Sequence, residues 1–173
     1  MKSQSNKAGP SMSPLSRSHG RFDYDVFLSF RGEDTRHNFA GLLRDMLYLQ
    51  GIHAFFDEED LHKGQRIEEI LEAISRSKVL VPIFSQRYAE SKWCLREVAK
   101  MVESCHHGGQ ESLIIPIFFD VNPADVRHQS GPFESAFQKH ETKSWRNIFG
   151  EVDEWKNALL YVGGISGFHL KNG

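Results

Sequence analysis

The chain has 173 residues, 39% of them hydrophobic, 12% aromatic and 25% charged, with a formal net charge of -2. That suffices for one domain with a real core, but not for two. No apolar run approaches the roughly 20 residues of a membrane span, the polar N-terminus lacks the apolar centre of a signal peptide, and the charge balance does not suggest nucleic acid as a partner. A cytoplasmic protein with no membrane partner is the expectation.

Residues 1–21 carry Lys2, Lys7, Arg17 and Arg21 without an acid and little that can be buried, so a disordered leader is expected there, ahead of a domain over 22–170. The β-rich run Tyr24 to Ser29 predicts a strand. Phe39, Leu42, Leu43, Met46 and Leu47 then fall on one helical face. Ile52 to Phe56 predicts a second strand, followed by a polar loop and a helix carrying Ile67, Ile70, Leu71 and Ile74, with Gly64 suiting the turn into it. Lys78 to Phe84 is an apolar strand, Leu95, Val98, Ala99 and Val102 mark a helix, and Leu113 to Phe119 is the most hydrophobic strand of the chain. Runs that are apolar on both faces suit a parallel sheet covered by helices. At least one short helix is expected near Phe133 to His140, and a last one holds Val152, Trp155, Ala158, Leu159 and Val162. This alternation predicts an α/β fold: a central five-stranded parallel sheet with helices on both faces, in the flavodoxin-like order 2-1-3-4-5. The position of the fifth strand does not follow from the pattern.

Ligands of open parallel sheets bind beyond the carboxyl ends of the strands. The first such loop, Phe30-Arg31-Gly32-Glu33-Asp34-Thr35-Arg36, offers arginines that can fork a diphosphate or ribose. Read blandly, it is a helix cap in which Asp34 or Thr35 satisfies free N–H groups. The second loop, Asp57 to Arg66, is long and opens with four acids. Adjacent loop carboxylates rarely converge on a metal, so it reads as a gate, a contact surface or simply a solvated loop. In the third, Ser91-Lys92-Trp93-Cys94-Leu95-Arg96-Glu97, Trp93 and Glu97 lie four apart on one helical face. An indole beside a carboxylate suits a nucleotide: the ring stacks a base, and the acid stabilises the cation formed as a glycosidic bond breaks. A packed Trp beside a surface Glu is the plain alternative.

Other chemistries find no support. Cys94 and Cys105 stand about 16 Å apart along one predicted helix, too far for a disulfide, and there is no CxxC pair. His106 and His107 read as a helix end rather than zinc ligands. No histidine has a Ser or Cys partner at a recognisable spacing, and neither a Walker loop nor a GxGxxG motif occurs. A phospho-receiver would need an acidic pair at the end of the first strand, where Ser29 and Phe30 stand.

The run Tyr24-Asp25-Val26-Phe27-Leu28-Ser29-Phe30-Arg31-Gly32-Glu33-Asp34-Thr35-Arg36 resembles, almost letter for letter, the opening of TIR domains at the N-terminus of plant nucleotide-binding leucine-rich-repeat immune receptors. Ser91 to Val98 resembles their third-helix motif, and Pro116 to Arg127 and Gly167-Phe168-His169-Leu170 match further stretches. The resemblance implies that Glu97 is the catalytic glutamate of an NAD+ or NADP+ glycohydrolase, with no cofactor and no metal, whose products are nicotinamide and ADP-ribose or cyclised variants. It implies that Arg31, Gly32, Arg36, Lys63, Ser91, Trp93 and Cys94 bind substrate, Lys63 from a mobile loop that neighbours use in assembly. It further implies self-association, signalling through nucleotide products to lipase-like proteins, a defence and cell-death output in cytoplasm and nucleus, and residues 171–173 as the start of a linker to a nucleotide-binding domain. A catalytically silent scaffold acting by self-association is the alternative. Two departures stand out: Gly41-Leu42 replaces a Ser-His pair used for self-association, and Phe168 stands where Trp is frequent.

Overall fold

The first β-rich run of the chain becomes an interior strand of the sheet. In the computed structural model, which describes residues 22–56, 67–107, 112–144 and 150–171, β1 (Tyr24–Phe30) is flanked by β2 (Ala54–Phe55) and β3 (Ser77–Phe84). The expected leader, the acidic loop with Lys63 and Gly64, and residues 172–173 lie outside the described residues. Beyond β3 come two short pieces, β4 (Leu113–Ile114) and β5 (Ile117–Phe119), and then β6 (Phe168–Leu170) at the edge, all pairings being parallel. Five sheet positions are therefore filled in the order 2-1-3-4-5, the fourth by β4 and β5 together.

The run Leu113 to Phe119 is expected as one strand, and the structure breaks it. The register that pairs Leu80 with Ile114 and Ile83 with Ile117 sets Pro82 opposite Pro116. Neither proline has an N–H to give the ladder, so regular pairing lapses there. The unplaced fifth strand is β6, only three residues long. Its Phe168 N–H donates to the Pro116 carbonyl (3.0 Å). Gly167 makes that approach possible, since a Cβ there would sit 2.2 Å from the same oxygen.

Alternation along β1 divides the core. Val26, Leu28 and Phe30 join Val81, Ile83 and Ile117 on the face covered by Phe39, Ala40, Leu43 and Leu47 of α2 (Phe39–Leu49). Phe27, Leu80, Phe84 and Phe118 face the other way. They meet α3 (Ile67–Ser75) through Ile70 and Ile74, α4 (Lys92–His107) through Leu95, Val98 and Met101, and α7 (Glu151–Val162) through Trp155 and Leu159. The helix expected near Phe133 is α6 (Glu134–Ser144), and a second short one, α5 (Pro123–His128), precedes it, with Asn122 capping α5 by accepting from Ala124 N–H. The four-residue α1 (Gly32–Thr35) precedes α2. With helices on both faces of the sheet, the expected α/β architecture is the one observed.

Two predictions arise from these contacts. A Cβ on Gly41 would meet the Arg36 carbonyl at 2.3 Å, and a backbone carbonyl has little room to yield. Gly41→Ser is therefore expected to destabilise by about 1–3 kcal/mol, read as a lower denaturation midpoint. The departure at Gly41 thus has a steric basis in how the 36–38 turn enters α2. The other concerns Asp25, whose carboxylate accepts from the His53 N–H (3.0 Å) and lies 3.5 Å from Lys78 Nζ. Its pKa is lowered from 3.8, first by the His53 backbone bond and less by Lys78. A depressed acid stabilises above its unfolded pKa, and that contribution is lost as pH falls through the folded pKa. The group is solvent-exposed, so the effect is small. Asp25→Asn is expected to flatten slightly the acid-side fall of Tm below about pH 4, which melts across pH would register.

Candidate functional site

The site lies where the sheet reverses its strand order, at the carboxyl ends of β1 and β3. Ser29 follows Phe27 by two residues along β1 and so points to the α4 side of the sheet. Its side chain is buried and meets two others: Ser29 Oγ donates to Glu97 Oε2 at 2.5 Å and lies 2.7 Å from the Tyr88 hydroxyl. Tyr88 belongs to a short 3-10 turn (Tyr88–Glu90) after β3, and its hydroxyl also stands 3.1 Å from the Cys94 carbonyl. The start of α4 is thereby tied to the end of β1. Glu97 is half-buried. Burial raises the Tyr88 phenol well above its ordinary value, with the charges of Cys94 and Glu97 adding to it, so Tyr88 is a neutral hydroxyl at physiological pH.

The remaining residues proposed for the cleft separate into two groups. Ser91 caps α4, its Oγ accepting from Cys94 N–H at 3.3 Å. Cys94 is buried, its thiol donating to the Phe30 carbonyl at 3.5 Å. Burial first, and the Glu97 charge second, push that thiol far above its ordinary range, so it is no nucleophile. The Trp93 ring carries Lys92 Nζ at 4.8 Å and the Arg96 guanidinium at 4.9 Å. A planar ligand stacking on a face covered by either cation displaces it. Arg96 also pairs with Glu151 of α7, bracing the helix.

The loop after β1 forms the second group. Gly32 opens α1, and Arg36 stacks over Phe30 at 5.5 Å. Arg31 pairs with Glu33 (2.9 Å), Glu90 (3.2 Å) and Asp34 (3.6 Å). Its Nε is buried without a hydrogen-bond partner among the described residues, so the guanidinium keeps an unused donor. Asp34 does not cap a helix, as the bland reading had it. Instead it accepts from Ser85 Oγ (2.6 Å) and Arg87 N–H (3.3 Å), stitching this loop to the end of β3. Thr35 turns back to the Arg31 carbonyl, and the cap of α2 is Asn38, which accepts from Phe39 N–H. With Arg87 bridging Glu33, Asp34 and Glu90, two cations face three carboxylates. An anionic ligand reaching Arg31 must displace carboxylates, of which Glu33 is the most exposed at 62%. Lys63 lies outside the described residues, so it joins neither group. No group of three or more His, Cys, Asp or Glu able to hold a metal occurs among the described residues.

Sequence reasoning missed Ser29, Tyr88, Arg87 and Glu90 as parts of this region, and it placed Asp34 in the loop without its partners. Only Ser29 left a signal, as the polar residue on a strand face otherwise continued by Phe27.

A family model described as the TIR domain matches residues 23–173. The chain is a TIR domain. Its relatives include TMV resistance protein N of Nicotiana glutinosa, 42% identical over 88% of this chain, and disease resistance protein RPV1 of Vitis rotundifolia, 43% identical over 85%. This TIR chain spans only 13% and 10% of those two proteins. Among solved structures it is similar to the TIR domains of the activated Roq1 resistosome that directly recognizes the pathogen effector XopQ, with TM-score 0.73 and 42% identity over 85% of this chain and 87% of that one.

Proposed function

We propose that this TIR domain is the signalling module of a plant immune receptor, which self-associates and, once assembled, hydrolyses NAD+ or NADP+ at the nicotinamide–ribose bond. The observation that carries the reading is the Glu97 carboxylate, anchored on Ser29 at the carboxyl end of β1, with Trp93 one turn earlier on α4 and Arg31 on the adjoining loop. As the C–N bond breaks, its electron pair passes to the nicotinamide ring nitrogen and neutralises it, and positive charge develops on the ribose. A fixed carboxylate stabilises that cation. Water, or a nitrogen of the same dinucleotide's adenine, then bonds to the anomeric carbon. With water the added proton is released and ADP-ribose results. Arg31, once its carboxylates are displaced, pairs with the diphosphate.

Similarity to the TIR domains of an activated resistosome supports self-association. Relatives named as resistance proteins support the immune role, and membership of the TIR family supports the NAD+ reading. Within the reading, the nucleotide products act on lipase-like partners in cytoplasm and nucleus. The test is NAD+ consumption by the purified domain across protein concentration and in forced oligomers. Turnover that rises more steeply than protein concentration supports an assembly-gated enzyme. Silence in forced oligomers supports a scaffold that acts by association alone.

A further inference from the structure

We infer that the Ser29 hydroxyl, backed by the phenol of Tyr88, is a positioning group that holds the Glu97 carboxylate in its working orientation. This rests on the glycohydrolase reading above and extends it to residues outside the cleft. A glutamate has three rotatable side-chain bonds, and immobilising it costs entropy at each encounter unless the fold has already done so. Here three elements meet at one hydroxyl: β1 supplies Ser29, the 3-10 turn supplies Tyr88, and α4 supplies Glu97. Ser29 is 1% exposed and Tyr88 0%, so water does not compete for their two hydroxyls.

Proton counting gives the relay a direction. Ser29 has one proton and directs it to Glu97 at 2.5 Å, so its lone pairs face Tyr88 at 2.7 Å. Tyr88 has one proton and two acceptors in reach, Ser29 Oγ and the Cys94 carbonyl at 3.1 Å, the shorter being Ser29. Burial keeps the phenol protonated. The donors therefore run from Tyr88 to Ser29 to Glu97, and the chain ends on the carboxylate.

The test compares wild type, Ser29→Ala, Ser29→Thr, Tyr88→Phe and Glu97→Ala in forced oligomers, with a melt of each. Ser29→Ala is expected to lower kcat about 10- to 100-fold, the scale of one hydrogen bond to a charged group, with KM changed less than about 2-fold. Ser29→Thr, which keeps the hydroxyl, is expected to recover most of that rate, and Tyr88→Phe to fall between. A structural role alone would lower Tm and active fraction without this split or rescue. Independently of turnover, the side-chain carboxyl carbon of Glu97 is expected to shift in NMR spectra of Ser29→Ala and Tyr88→Phe. Full kcat in Ser29→Ala beside an inactive Glu97→Ala would overturn this inference and leave the glycohydrolase reading standing, as would an unmoved Glu97 resonance. Silence of wild type in every oligomer overturns both, because no working orientation then exists.

Discussion

Glu97→Ala is expected to abolish NAD+ loss, a fall of more than about 1000-fold, while the domain melts within a few degrees of wild type. The two halves have separate physical grounds. The rate falls because the carboxylate is the negative charge proposed to face the developing ribose cation, and alanine offers none. Stability holds because Glu97 is only half-buried on α4, alanine is the better helix former, and the Ser29 hydroxyl left behind still has Tyr88 at 2.7 Å, so that hydroxyl is not orphaned. The measurement is nicotinamide release in forced oligomers beside a thermal melt. Equal turnover by the variant would sink the catalytic assignment. A collapsed melt would mean that the Ser29–Glu97 bond holds the helix on the sheet.

Trp155→Ala is expected to be the most damaging single change to the fold, costing about 3–5 kcal/mol, or roughly 10 °C in Tm for a domain of this size. Trp155 is 1% exposed on α7 and packs edge-on to the His140 ring at 5.3 Å. Truncation removes an indole from the cluster that joins α3, α4 and α7 to the sheet. Trp155→Phe is expected to cost less than half as much, because the indole Nε1 has no hydrogen-bond partner among the described residues. The smaller ring then forfeits volume but no bond. Calorimetry of both variants decides it. Equal losses would mean that a bond from Nε1, and not the ring, carries the stabilisation.

Much of the fold was legible in the order of residues. β-rich and apolar runs located β1 and β3, and helical spacing located α2, α3, α4 and α7, because both signals come from which faces must be buried. The fourth strand reads as continuous although Pro116 stands in it. Only the register puts Pro82 across from Pro116, and register is a property of two strands together. β6 escaped notice because three residues carry no periodicity. It exists because Gly167 lets the chain reach the Pro116 carbonyl.

In the site the division is similar. Trp93 and Glu97 on one face of a helix, and a run of charges after the first strand, were readable from local spacing. The partners of those residues were not. Ser29 and Glu97 are 68 positions apart, Asp34 and Ser85 are 51 apart, and nothing in either local pattern points at the other. By itself, the sequence determined the longer strands and helices, their burial faces and the motifs that mark a TIR domain, since each depends on neighbours within a few turns. Tertiary structure alone decided that Ser29 meets Glu97 and Tyr88, that Asp34 joins two loops instead of capping a helix, and that Arg31 lies among three carboxylates. Those contacts depend on strand register and on the rotational phase of α4 against the sheet, and packing sets both only when distant segments come together.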